Sequence, residues 1–143
     1  MTIIGIVGSE AAKFTLKGKE EAKSIINELI SRPETIEVVS GSCHLGGVDI
    51  WAAEIGRQQG KLVTEFIPKT LSWETGYKIR NLQIAKHSDI VYCITVARLP
   101  LNYTGMCFSF CYHCNTNSHI KSGGCWTMHK AKIGILNVVK NEE

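Results

Sequence analysis

The segment from Cys111 to Cys125, CYHCNTNSHIKSGGC, carries three thiols and an imidazole in the pattern Cys-x2-Cys-x4-His-x5-Cys. Thiolates and imidazole are the donors a tetrahedral structural zinc prefers, and two cysteines separated by two residues reach one ion from a single tight turn. Cys111, Cys114, His119 and Cys125 are the expected ligands, with Cys107, His113 and His129 as alternatives for the fourth position. Four protein donors close the coordination sphere, whereas a catalytic zinc keeps a position open. The expected ion is therefore structural. The competing reading is a set of reduced, partly buried cysteines with no metal.

A second chemistry adjoins the first. Ser122, Gly123 and Gly124 stand directly before Cys125, and two other stretches are similarly built: Gly8-Ser9, and SGSCHLGGVD with Ser40, Gly41, Gly46, Gly47 and Asp49. Glycine permits positive φ and close backbone approach, and amides exposed at a helix start favour an anion. Any one such turn is ordinary turn chemistry. Three on one edge point to a phosphate-bearing ligand. Asp49 is either a first-turn acid favoured by the helix dipole or a carboxylate that accepts from a ribose hydroxyl. Arg80 offers a bidentate phosphate partner and Asn81 can bond a base or sugar; both also suit a solvated helix face. Trp73 and Trp126 stack on a base or simply pack. Thr127 follows the third turn.

These residues need a scaffold, and the hydrophobic pattern supplies one. TIIGIVG, TIEVVSG, KLVTEF, DIVYCITV and IGILNVV are short, β-branched runs that read as buried strands. KGKEEAKSIINELISR places Ala22, Ile25, Ile26, Leu29 and Ile30 on one helical face and stops before Pro33. VDIWAAEIGRQQG, GYKIRNLQIAKHS and a short WTMHKAK read as further helices. Strand and helix alternate, which requires a mostly parallel sheet covered on both faces. The expected fold is a Rossmann-like α/β/α sandwich, one domain over 1–143 with a cysteine-rich insertion at about 97–125. In such a sheet every strand-to-helix turn lies on one edge. A metal would order an insertion that the core does not reach.

Composition narrows the class. The chain has 143 residues, 44% hydrophobic and 20% charged, which suits one soluble globular domain. No window approaches the ~20 apolar residues of a membrane span, and MTIIGIVGSE lacks a signal peptide's basic start, so a cytoplasmic location is expected. Sixteen basic against thirteen acidic residues give +3, scattered rather than clustered, which argues against nucleic acid as partner. Four of six cysteines share one segment, which favours metal over disulfides.

SGSCHLGGVDIWAAEIGRQQGK, RNLQIAKHSDIVYCI and SGGCWTMHKAKIGI, in that order, resemble the SLOG superfamily, the Rossmann-like group named for the DNA-processing protein A (Smf) and LOG families. The likeness spans most of the chain outside the cysteine segment. It implies a nucleotide or nucleotide-derived ligand along the glycine edge, near Ser40, Gly41, Gly46, Gly47, Asp49, Arg80, Gly123, Gly124 and Thr127. It also implies a homo-oligomer. LOG-type phosphoribohydrolases carry Pro-Gly-Gly-x-Gly-Thr-x-x-Glu. Here Gly123, Gly124 and Thr127 match, but Trp126 replaces the third glycine and Lys130 stands where the Glu belongs. A lysine cannot supply that carboxylate chemistry. An N-glycosidic-bond-cleaving enzyme, LOG-like or deoxyribosyltransferase-like, would need another acid among Glu10, Asp49, Glu74 and Asp89. Glu74 stands out because Arg80 follows it on the same segment.

The cysteine segment is also similar to a retroviral-type zinc knuckle, one residue longer. A nucleic-acid adaptor is thus the third reading. Only Lys121 and Lys130 lie close by, too few for a basic stripe. Since Cys125 directly follows the glycine pair, zinc would instead hold the Ser-Gly-Gly turn in shape for a phosphate.

Overall fold

A computed structural model describes residues 1–108 and 110–143. Five strands, β1 (Thr2–Gly8), β2 (Thr35–Ser40), β3 (Leu62–Glu65), β4 (Ile90–Val96) and β5 (Gly134–Val139), alternate with helices α1 (Leu16–Ser31), α2 (Val48–Gln58), α3 (Lys78–His87) and α4 (Gly123–Lys130). Every pairing is parallel, and the spatial order is β3-β2-β1-β4-β5. This is the Rossmann-like α/β sandwich expected from the alternating pattern.

The strands' period of two sorts the core into two layers. In β4, Tyr92, Ile94 and Val96 join one buried cluster, while Val91 and Cys93 join the other. Ala22, Ile26, Leu29 and Ile30 of α1 and Val48, Trp51, Ala52 and Ile55 of α2 cover the first, packing with Ile4, Ile6 and Val38. Ile84 of α3 and Cys125 and Met128 of α4 cover the second with Val7 and Val39. Burying one such aliphatic side chain contributes ~1.5–3 kcal/mol. Thr15 caps α1 by accepting from the Gly18 amide, and Asn141 near the C-terminus accepts from the Thr15 amide at 2.8 Å.

Three local departures from the sequence pattern matter for function. α4 begins at Gly123, so the glycine pair forms the helix's first turn rather than a loop before it, with Ser122 as N-cap. A π-helical turn, Trp73–Tyr77, runs directly into α3 and carries both Trp73 and Glu74. A 3-10 turn, Ala11–Lys13, follows β1.

Building outward, β2 and β3 lie to one side of β1, and β4 and β5 to the other. The direction of winding therefore reverses between β1 and β4. Crevices form at such a switch point, beyond the strands' carboxyl ends. The segment from Ala97 to Ser122 enters there. It is tied back where the Ile120 amide donates to the Val96 carbonyl at 2.8 Å, and where Cys111 and Thr116 form an isolated antiparallel bridge.

Candidate functional site

The first part of the site is a donor cluster. One ligating atom from each of Cys111, Cys114, His119 and Cys125 lies within 4.8 Å of the other three. Ligands about 2.3 Å from a central ion at tetrahedral corners stand roughly 3.8 Å apart, so the four donors need only a small contraction to hold one. The turn that brings Cys111 and Cys114 together closes through the Cys111–Thr116 bridge, and Asn115 takes the positive φ it requires (57°). Cys111, His119 and Cys125 are buried, and Cys114 is half-buried. His119 Nε2 is 3.7 Å from the Cys125 sulfur, and its Nδ1 is 3.1 Å from the Ser118 hydroxyl, which fixes the ring.

Charge completes the fit. The Cys125 thiol is held well below its ordinary value, first by the Cys93 thiol beside it, with His119 and Cys111 contributing and burial opposing. Cys114 is pushed upward by burial and by the neighbouring Cys125. Thiols this close cannot all ionise against one another; a divalent cation at their centre lets all three do so. Of the alternative ligands, Cys107 is exposed and outside the cluster, and His113 turns to the neighbouring cleft. His129 Nε2 reaches the Cys114 sulfur at 3.3 Å without joining the set of four.

The second part is a cleft of about 670 Å³ at the switch point. From the sequence-derived candidates, the fold gathers Gly8, Ser9, Asp49, Arg80, Asn81, Ser122, Gly123, Gly124 and Thr127 in its wall. Trp73 and Trp126 also line it, edge to face at 4.8 Å between ring centroids. Ser40, Gly41, Gly46 and Gly47 lie behind the wall. Ser40 is buried and donates to the Asp49 carbonyl at 3.0 Å. Gly41 leaves room for its neighbours, since a Cβ there would stand 2.5 Å from Arg80 Nη1 and 2.7 Å from Asp49 Oδ2. Gly47, at φ 92°, packs against the Ser9–Ala11 backbone. Glu74 is exposed, paired at 3.8 Å with Lys78, and outside the cleft.

The three amide clusters are not equivalent. The Ser9 amide donates to Ile94 and the Val48 amide at the start of α2 donates to Ser9, so both are committed within the protein. At α4, Ser122 accepts from the Gly124 and Cys125 amides, but the Gly123 amide has no protein acceptor among the described residues. A Cβ on Gly123 would meet nothing within 4 Å, whereas one on Gly124 would press on the Gly8 amide nitrogen at 2.9 Å and the Cys93 sulfur at 3.1 Å. Gly124 is thus explained by packing. Gly123 opens onto the cleft.

No family model, curated protein or solved structure matches the chain. What the site does must therefore be argued from its own groups.

Two of these are buried and oppositely charged. Asp49 is 7% exposed, its Oδ1 has no hydrogen-bond donor, and burial pushes its carboxyl up to about 6 against the pull of Arg80 and the Gly8 amide. Arg80 is buried, donates from Nε to Asn81 Oδ1 at 2.8 Å and from Nη1 to the Gly41 carbonyl, and stacks near the Tyr77 ring. No ion pair joins Asp49 and Arg80 among the described residues. The cleft also holds residues that sequence reading did not assign to it: Lys13, Tyr77, Tyr112, His113 and Lys121. For Tyr77, its position three residues before Arg80 was a usable signal. Lys13 and Tyr112 gave none, because a turn and an irregular segment carry no periodicity.

Proposed function

We propose that the protein binds a nucleotide or nucleotide derivative in the switch-point cleft, with a structural zinc held by Cys111, Cys114, His119 and Cys125. One observation carries this reading: the unpartnered Gly123 amide at the start of α4 shares a cleft with Arg80, Asp49 and two tryptophans. An anion suits the helix start, a ring system suits the tryptophan faces, and polar sugar atoms suit the buried pair. The resemblance to SLOG proteins around Gly123, Gly124 and Thr127 supports the same ligand class.

The metal's part is architectural. Cys125 lies in the first turn of α4, one residue beyond Gly124, so a ligand bond at its sulfur fixes the turn that presents the Gly123 amide. Hydrolytic cleavage is the second reading: Glu74 stands outside the cleft and Lys130 occupies the family's acid position, while Glu10 and Asp49 of the candidate acids line the cleft. Calorimetric titration of the zinc-loaded protein with nucleoside mono- and diphosphates tests the reading. Saturable binding, weakened at least tenfold by Trp126→Ala, is expected. Silence across the whole panel would overturn it.

A further inference from the structure

Cys93 is a buried thiol that neither the donor cluster nor the cleft wall uses. Its sulfur rises from β4 beneath the first turn of α4, where a Cβ on Gly124 would stand 3.1 Å from it. The thiol donates toward the Cys125 sulfur at 3.9 Å. Cys125 Sγ therefore stands at a branch, with His119 Nε2 at 3.7 Å on the side of the insertion and Cys93 on the side of the sheet. A sulfur drawn to the ~2.05 Å of a disulfide is no longer a thiolate and cannot hold a metal. The two bonds exclude one another. A small hydrophobe would fill the place of Cys93 as well; only a thiol can capture its neighbour.

Cys93 and Cys125 are both fully buried, so an oxidant must enter elsewhere. Cys114 is the one half-buried member of the donor set, and the exposed His129 lies 3.3 Å from its sulfur. That sulfur is within 4.8 Å of the Cys125 sulfur. Cys114, Cys125 and Cys93 thus form a relay from the surface to the sheet.

We propose that this relay is an oxidation site for hydrogen peroxide or another small hydroperoxide, entered at Cys114 and ending in a Cys93–Cys125 disulfide that takes Cys125 out of the donor set. It rests on the zinc half of the function proposed above. The Cys114 thiolate attacks the O–O bond, which breaks to leave a sulfenic acid and hydroxide. The Cys125 thiolate displaces a second hydroxide from that sulfur, forming a Cys114–Cys125 disulfide. Cys93 gives its proton to hydroxide, attacks the Cys125 sulfur and releases Cys114 as the thiolate it began as. Two electrons pass from sulfur to peroxide, and the products are one disulfide, one water and one hydroxide. Cys111 is also within reach of Cys114, and a disulfide between those two is the rival product. The buried pair has the advantage of persistence. No soluble reductant touches it directly, so it is undone only by way of Cys114.

The test treats the full, zinc-loaded chain with hydrogen peroxide. Zinc release is followed with a chromogenic chelator, free thiols are blocked under denaturing conditions, and disulfides are mapped by peptide mass spectrometry. Wild type is expected to release its zinc and to yield Cys93–Cys125 as the main disulfide. Reduction with added zinc should then restore the metal. Cys93→Ala removes the thiol that ends the relay, so cysteine should pass on to sulfinic acid and the zinc recovered should fall severalfold. Retention of zinc under excess peroxide, Cys93 recovered as a free thiol, or equal recovery in the variant each overturns the proposal. The wild-type map decides the matter even where the variant fails to fold. A chain that takes up no zinc before peroxide is added overturns the zinc reading and this one together; one that takes up zinc and leaves Cys93 free overturns this one alone.

Discussion

The sulfurs of Cys93 and Cys125 stand 3.9 Å apart, although only Cys125 belongs to the four-donor cluster. Cys93 lies on β4 in the second core layer, and Cys125 opens α4. Sheet, glycine turn and donor cluster therefore meet in one contact. A disturbance at any of the three reaches the cleft wall through the same pair of atoms.

The two cysteines should nevertheless behave differently. Cys125→Ser is expected to lose the metal and lower the melting temperature, because one of four ligands is gone. Cys93→Ala should keep the metal and cost only about 1 kcal/mol for the small cavity beneath α4. Metal content by mass spectrometry, read beside thermal melts, separates them. Metal loss in Cys93→Ala would place that sulfur among the ligands.

Cys107 supplies a control. It is exposed and outside the cluster, so Cys107→Ser should leave one zinc per chain and an unchanged melting temperature. Chelation of the wild type should lower that temperature, since the segment from Ala97 to Ser122 has no helix or named strand among its described residues. Chelator-insensitive melting would contradict a structural role for the ion.

The neighbouring glycines should separate stability from binding. Gly124→Ala forces a Cβ to 2.9 Å from the Gly8 amide nitrogen and 3.0 Å from a Val7 methyl. Both are strand atoms in the core, and such overpacking costs ~1–3 kcal/mol. Gly123→Ala meets no protein atom, so its stability should be unchanged or higher by ~0.4–1 kcal/mol. Its added methyl should weaken nucleotide binding severalfold. Urea denaturation and calorimetry on the pair check both halves.

Asp49 should give stability a signature in pH. Its carboxyl has an ordinary value of 3.8 and is raised to about 6 by burial. Between those values the native state holds a proton that the unfolded chain has lost. The burial penalty is therefore full above about pH 6, shrinks as pH falls through that value, and is gone below the unfolded value. Asp49→Asn removes the ionisation. Its stability relative to wild type should be more favourable at pH 8 than at pH 4, by on the order of 3 kcal/mol for a shift of about two pKa units. Urea melts of both proteins across that range provide the measurement. A difference independent of pH would show that Asp49 does not titrate as its burial requires.

Much of this protein was written in the chain order of its residues. The β-branched runs and the face Ala22, Ile26, Leu29, Ile30 sufficed for a parallel α/β sandwich, because strands covered on both faces read as short continuous apolar runs while helices covered on one face keep a 3.6-residue period. The four donors from Cys111 to Cys125 were equally legible, since their spacing lets a short tract of backbone bring them to one point. Spacing could not tell the glycines apart. Only the fold shows that Gly47 makes room for the Ser9–Ala11 backbone and Gly124 for the Gly8 amide, while Gly123 faces open space. Nor could it bring Lys13 to Lys121, or leave Asp49 Oδ1 without a donor. Those relationships join residues far apart in sequence, and they exist because the winding order reverses between β1 and β4. Local periodicity reports which face of an element is buried; what meets across a switch point is set by the path of the whole chain.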